Sequence, residues 1–136
     1  MIIEYVVFFG LLLIGLLAFL LHKQPEPIID TINAQRVKCE SHIERRLFNA
    51  LVFNGYSVRT QVPCGRYRID LALTSQRIAI ECDGKAYHSS PAQKAHDRRK
   101  NAYLRKNGWR VLRFSGSQIN GNMSKVLARI EKETVK

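Results

Sequence analysis

Residues 68–83 read RIDLALTSQRIAIECD, and the fold follows from how this stretch is paired. Two alternating runs, Arg68 to Leu73 and Ile78 to Asp83, flank Thr74-Ser75-Gln76-Arg77. Side chains alternate between the two faces of a strand. If residues 74–77 form a four-residue hairpin loop, Leu73 pairs with Ile78. Ile69, Leu71, Leu73, Ile78, Ile80 and Cys82 then make one apolar face. On the other face Ala72 opposes Ala79, Asp70 opposes Glu81, and Arg68 opposes Asp83.

Outward from the hairpin, the punctuation is clear. Ser41-His42-Ile43-Glu44 is a capping box, and Ile43, Leu47, Ala50 and Leu51 follow at helical spacing up to Asn54-Gly55. Tyr56 to Val62 alternates as a strand, with Tyr56, Val58, Thr60 and Val62 on one face, and Pro63-Cys64-Gly65 turns the chain. Gly84 lets the chain leave the sheet. Ser90-Pro91 starts a helix that reaches about Lys106 and stops at Asn107-Gly108. Trp109 to Phe114 is a strand, and a last helix covers about Met123 to Glu133. The order is α-β-β-β-α-β-α. A helical crossover joins the third and fourth strands, so these should run parallel. The fold class is α/β, a mixed four-stranded sheet flanked by helices.

The ends and the charge bound the rest. Ile2 to Leu21 is apolar except for Glu4 and is long enough for the roughly 30 Å hydrocarbon core. No Lys or Arg precedes it and no small-x-small cleavage site follows Leu17, so an uncleaved anchor is expected rather than a signal peptide. Lys23, Arg36 and Lys38 follow the span, which by the positive-inside rule puts the rest in the cytoplasm, on a single-pass inner (cytoplasmic) membrane protein. The expected organisation is an anchor at 1–22, a Pro25- and Pro27-containing linker at 23–39 and one domain at 40–136. The chain of 136 residues leaves no room for a multidomain enzyme. All 22 basic residues lie from Lys23 onward, against 10 acids, a net of +12 on that part. Such a balance suits nucleic acid or an anionic membrane surface. Cys39, Cys64 and Cys82 are odd in number and form no C-x-x-C pair, which argues against a disulfide scaffold or zinc site.

The opposed acids carry the chemistry. Like charges directly across a sheet destabilise it. A divalent cation reverses that, and Asp/Glu oxygens are what Mg²⁺ prefers, with Mn²⁺ as a substitute. Asp70, Glu81 and Asp83 are therefore candidate metal ligands. The plainer alternative is a set of solvated acids on an exposed face, yet three of only ten acids converge here. His88 lies just beyond the strand and is a candidate general base. Lys85 is the nearest amine. Glu44 is the third residue of its capping box and can serve as no more than a cap. Asp97 precedes Arg98-Arg99-Lys100 on a helix, where the trio can hold phosphates and Asp97 can orient His88.

The run RIDLAL…IAIECDGKAYH…HDRRKNAYLRKNGWRVLRF resembles the restriction-endonuclease-like, or PD-(D/E)XK, superfamily. Within it, the chain is similar to the group of very-short-patch mismatch repair endonucleases and related small domains. The resemblance spans roughly Cys39 to Ile130. It implies an α-β-β-β-α-β core, with Asp70 as the metal-binding aspartate and Glu81 as the acid of the (D/E)-x-K element. His88 and Asp97 match the repair enzymes' histidine and aspartate, and Glu44 matches a first-helix glutamate. Asp83 stands where the superfamily has lysine, so that His88 or Lys85 would have to supply the positive group. The repair enzymes' zinc ligands are absent, and specificity for a T·G mismatch does not carry over.

The sequence thus predicts a membrane-anchored, Mg²⁺-dependent deoxyribonuclease. Catalysis would fall to Asp70, Glu81, Asp83, His88, Glu44 and Asp97. The DNA backbone would be held by Arg66, Arg68, Lys85, Arg98, Arg99 and Lys100. The alternative is a membrane-tethered nucleic-acid-binding module on the same fold, without catalysis.

Overall fold

The computed structural model describes residues 2–21, 28–84 and 90–135. The chain divides into two compact units, Met1–Thr31 and Ile32–Lys136. In the first, α1 (Ile2–Leu21) is a twenty-residue helix, long and apolar enough to cross a membrane, with large apolar side chains exposed along its length. Pro25 and Pro27 lie outside the described residues. Beyond them the irregular linker expected over 23–39 is instead a helix from Ile28, α2 (Ile28–Val37). No Gly or Pro interrupts those ten residues.

The second unit is built on one four-stranded sheet in the order β1-β2-β3-β4: β1 (Arg59–Cys64), β2 (Tyr67–Leu73), β3 (Ile78–Asp83) and β4 (Arg110–Ser115). β1 and β3 run antiparallel to β2, and β4 is parallel to β3. The helical crossover is α4 (Pro91–Lys106), capped by Ser90 with Pro91 in its first turn, as the sequence predicts. The remaining helices are α3 (His42–Phe53), α5 (Gly116–Gly121) and α6 (Met123–Thr134). The short α5 was not foreseen. Its signal is local: Ser115 and Gln118 form a reciprocal capping box directly after β4.

The hairpin has the expected register, with Leu73 across from Ile78, Ala72 from Ala79 and Leu71 from Ile80. Arg77 closes the turn at φ 55° and stacks its guanidinium over Trp109, 4.5 Å from the ring centre. Leu71, Leu73, Ile78 and Ile80 enter the main core with Leu47, Phe48 and Leu51 of α3, Phe114 of β4, Ile119 of α5 and Ile130 of α6. Burying each such side chain contributes about 1.5–3 kcal/mol. Cys82 packs against this core as expected.

The other face is covered by a second, smaller cluster of Ile69, Ala72, Ala79, Leu104 and Trp109, with Val62 packed against it. Ile69 and Val62 thus leave the faces expected for them, since Leu71 and Val58 belong to the main core. β1 also starts later than expected, at Arg59 rather than Tyr56. At its outer edge Thr60 is bonded to α2, its N–H donating to Gln35 Oε1 at 2.8 Å and its Oγ1 to Gln35 O at 2.7 Å. The β1–β2 turn is pinned to α4 by aromatic packing. Gly65 has φ 56°, and the Tyr103 ring lies where a β-carbon would project. Tyr103 also packs on Tyr67, ring centres 5.4 Å apart.

Candidate active site

One transverse row of side chains crosses the sheet. The β1–β2 register on either side, Thr60 with Leu71 and Val62 with Ile69, sets Gln61 across from Asp70. The β2–β3 pairing ends at Leu71–Ile80, and the same register continued by one residue would set Asp70 across from Glu81, which pairs with Arg113 of β4. The charge of Asp70 acts on Glu81, so the two acids read from the hairpin lie near each other.

The two acids differ in burial, Asp70 being half-buried on the cleft and Glu81 buried. Glu81 is only 3% exposed. Burial, and next the charge of Asp70, push its carboxyl up to about 7 against the opposing pull of Lys100. Burial likewise raises Asp70, although the Cys82 N–H donated to its Oδ2 at 2.8 Å works the other way. Lys100, projecting from α4, donates from Nζ to Glu81 Oε2, and its side chain is itself 14% exposed. Glu81 Oε1 is buried without a partner among the described residues. An unsatisfied buried carboxylate oxygen is costly, typically about 1–3 kcal/mol or more. It marks a place where a cation would be stabilising, and Asp70 uses only Oδ2 in its hydrogen bond to the Cys82 N–H. Asp70 and Glu81 therefore fit a divalent cation.

Asp83 does not join them. It was expected opposite Arg68 and on the cation, but Arg68 pairs with Glu40 at 3.1 Å in solvent. Both Asp83 oxygens accept from Arg113, Nε to Oδ2 at 3.0 Å and Nη2 to Oδ1 at 2.7 Å. The parallel register explains this, because Arg113 lies beside Glu81 on the same face, two residues before the partner of Asp83. That bond to Asp83 is the main reason the Arg113 guanidinium holds its proton still more firmly than usual. Among the described residues no three acids, histidines or cysteines converge as a metal cluster. Asp97 also turns to Arg113, at 3.5 Å. His88, which it was expected to orient, lies outside the described residues, as does Lys85.

Glu44 does more than cap. Ser41 Oγ accepts from Glu44 N–H and donates to its Oε1 at 2.9 Å. Its Oε2 accepts from Glu40 N–H at 2.9 Å and from Gln61 Nε2 at 3.1 Å, so the cap reaches the row across the sheet.

At the Gln61 and Asp70 end of the row lies a cleft of about 460 Å³, lined by Glu40, Gln61, Arg66, Tyr67, Arg68, Asp70, His96, Arg99 and Lys100. Arg66, Arg68, Arg99 and Lys100 are thus gathered as expected, while Arg98 is exposed outside the lining. Two features went unread in the sequence. His96 stands on the cleft wall with its ring edge on Tyr67, centres 5.8 Å apart. Its signal was helical spacing, since His96, Arg99, Lys100 and Tyr103 share one face of α4. The other is Lys100, which was grouped with Arg98 and Arg99 as a phosphate ligand but lies buried against Glu81.

The model of the REase_MTES_1575 family matches residues 43–133. The chain belongs to this restriction endonuclease-like family. The uncharacterized protein YcjD of Escherichia coli (strain K12) is 36% identical over 93 residues, 66% of this chain and 77% of that protein. Among solved structures, the catalytic domain of homing endonuclease I-Bth0305I superposes with a TM-score of 0.59 at 26% identity, covering 71% of this chain and 96% of that domain. The superfamily resemblance and the α/β core read from the sequence are borne out. Asp83 is neutralised by Arg113, while an ammonium group reaches Glu81 from α4.

Proposed function

We propose that the protein is a membrane-anchored, divalent-metal-dependent DNA endonuclease. The observation that carries this reading is a basic cleft lined by half-buried Asp70 and by Lys100, whose partner Glu81 is buried with its Oε1 unpartnered among the described residues. Asp70 and Glu81 would hold Mg²⁺ or Mn²⁺. Such a cation supplies charge neutralisation at a scissile phosphate and makes a nearby water more acidic. Lys100 keeps Glu81 in place and supplies the positive group that Asp83 does not. Arg66, Arg68 and Arg99 hold phosphates along the cleft, and Arg98 and Lys85 extend that contact. His88 takes one proton from the attacking water. The water oxygen bonds to phosphorus, the bond from phosphorus to the leaving sugar oxygen breaks, and that oxygen takes up a proton. Asp83 and Asp97 act through Arg113, and Glu44 through Gln61. Anchoring in the inner membrane through α1, with the domain in the cytoplasm, is supported by the length and composition of α1 and by the basic residues after it.

The test is cleavage of supercoiled, linear and single-stranded DNA by the full-length chain with Mg²⁺, Mn²⁺ or EDTA. Metal-dependent nicking or cutting that Asp70→Asn abolishes supports the reading. Salt-sensitive DNA binding with no cleavage under any metal would instead establish the binding-module alternative.

A further inference from the structure

Two non-glycine residues among those described have left-handed backbones, Arg77 at φ 55° and Gln61 at φ 51°. L-residues adopt this conformation at a cost, and it persists only where surrounding structure imposes it. Arg77 sits in a hairpin turn, where the conformation closes the loop. Gln61 sits inside β1, where nothing is inserted, since the register is the same before and after it. The side on which the hairpin packs changes here, as Val58 and Val62 join different clusters. Glycine would serve that backbone better than glutamine. The side chain is therefore the feature that the backbone alone does not explain.

That side chain is held at the cleft. It stands across from Asp70 and lines the same cleft. Its Nε2 is anchored on Glu44 Oε2 at 3.1 Å, and Glu44 is in turn fixed by Ser41 and the Glu40 N–H. With one end tethered, Oε1 has no partner among the described residues. A carboxamide oxygen so placed accepts a hydrogen bond and does not titrate. Resting on the hydrolytic reading of the cleft, we propose that Gln61 is a catalytic residue whose Oε1 accepts a hydrogen bond from the attacking water and aims the water oxygen at phosphorus. The proton that leaves the water goes to the general base, and Gln61 itself neither gains nor loses one.

Gln61→Gly keeps the left-handed backbone and removes the whole side chain, carboxamide included. Gln61→Asn tolerates the same backbone and withdraws the carboxamide by one methylene. The full-length protein in detergent micelles is compared with both variants by metal-free melting, by binding of a fluorescein-labelled duplex in Ca²⁺, and by single-turnover cleavage in Mg²⁺. The expected result is unchanged or higher Tm, unchanged duplex Kd, and a cleavage rate lowered roughly a hundredfold in both, the scale of losing one positioning contact. Cleavage at the parent rate overturns the inference. So does a Tm that falls with the rate, which makes Gln61 a clamp for Glu44, or a Kd that weakens by the same factor, which makes it a phosphate contact. Asp70→Asn, measured alongside, separates the two levels. A parent that cleaves while Asp70→Asn does not leaves the hydrolytic reading standing whatever Gln61 does, whereas a parent that never cleaves overturns both.

Discussion

On the face under α3, α5 and α6, β2 and β3 present Leu71, Leu73, Ile78 and Ile80, all fully buried. On the face under α4 the same two strands present Ala72 and Ala79, and then Asp70 and Glu81. The first face is filled by large aliphatic groups meeting large aliphatic groups. On the second, the two alanines sit beneath Leu104 and Trp109, and next to them lies the polar row. The hydrophobic effect alone accounts for the first face. It cannot account for a carboxylate that is 3% exposed with one oxygen held by Lys100 and the other unpartnered, a burial that opposes folding. Stability is concentrated on one side of the sheet, and chemistry on the other.

That contrast breaks first on the aliphatic side. Ile80→Ala opens a cavity in the main core and should destabilise the protein by about 2–5 kcal/mol in denaturant melts. A loss under 1 kcal/mol would mean that the core can collapse around the site.

On the α4 side the informative change is Lys100→Ala. It leaves Glu81 buried with neither oxygen paired by an ammonium and should cost about 1–3 kcal/mol. The double variant with Glu81→Gln should recover most of that loss. Equal stability of the single and double variants would show that Lys100 is held by α4 rather than by Glu81.

A smaller, pH-dependent effect sharpens the same point. The Glu81 carboxyl lies at about 7 in the folded chain, above its ordinary value of 4.5. Its contribution is therefore fully present below 4.5 and is lost as pH rises through 7. Metal-free Tm should fall between pH 5 and pH 8, and the fall should be shallower in Glu81→Gln. For the same reason Mn²⁺ should bind more weakly as the pH drops below about 7, because the cation then displaces a proton. An identical Tm profile in parent and Glu81→Gln would contradict this.

The parts legible in the sequence are those set by local periodicity. The strand Ile78–Asp83, its loop and the pairing of Leu73 with Ile78 through Leu71 with Ile80 all followed from alternation. Where partners come from elements distant in sequence, alternation says nothing. Lys100 reads as one of three neighbouring cations on a helix, and only the packing of α4 across the sheet brings it to Glu81 rather than to solvent. Asp83 reads as a third ligand until β4 delivers Arg113 beside it. Gln61 carries no residue-type signal at all, since a left-handed strand position is expected to hold glycine, asparagine or aspartate. α2 carries no such signal, because its ten residues have weak apolar periodicity.

The central claim is that Asp70 and Glu81 oppose each other in order to hold a cation. Thermal melting of the full-length chain and of Asp70→Asn, each with EDTA and with Mn²⁺, tests it most directly. If the claim holds, Asp70→Asn without metal is at least as stable as the parent, because a standing repulsion with Glu81 is removed. The parent's Tm rises with Mn²⁺ through preferential binding to the folded state, and the variant's does not. An equal Mn²⁺ response in the two proteins, or a marked loss of metal-free stability in Asp70→Asn, would contradict it and make the pair structural.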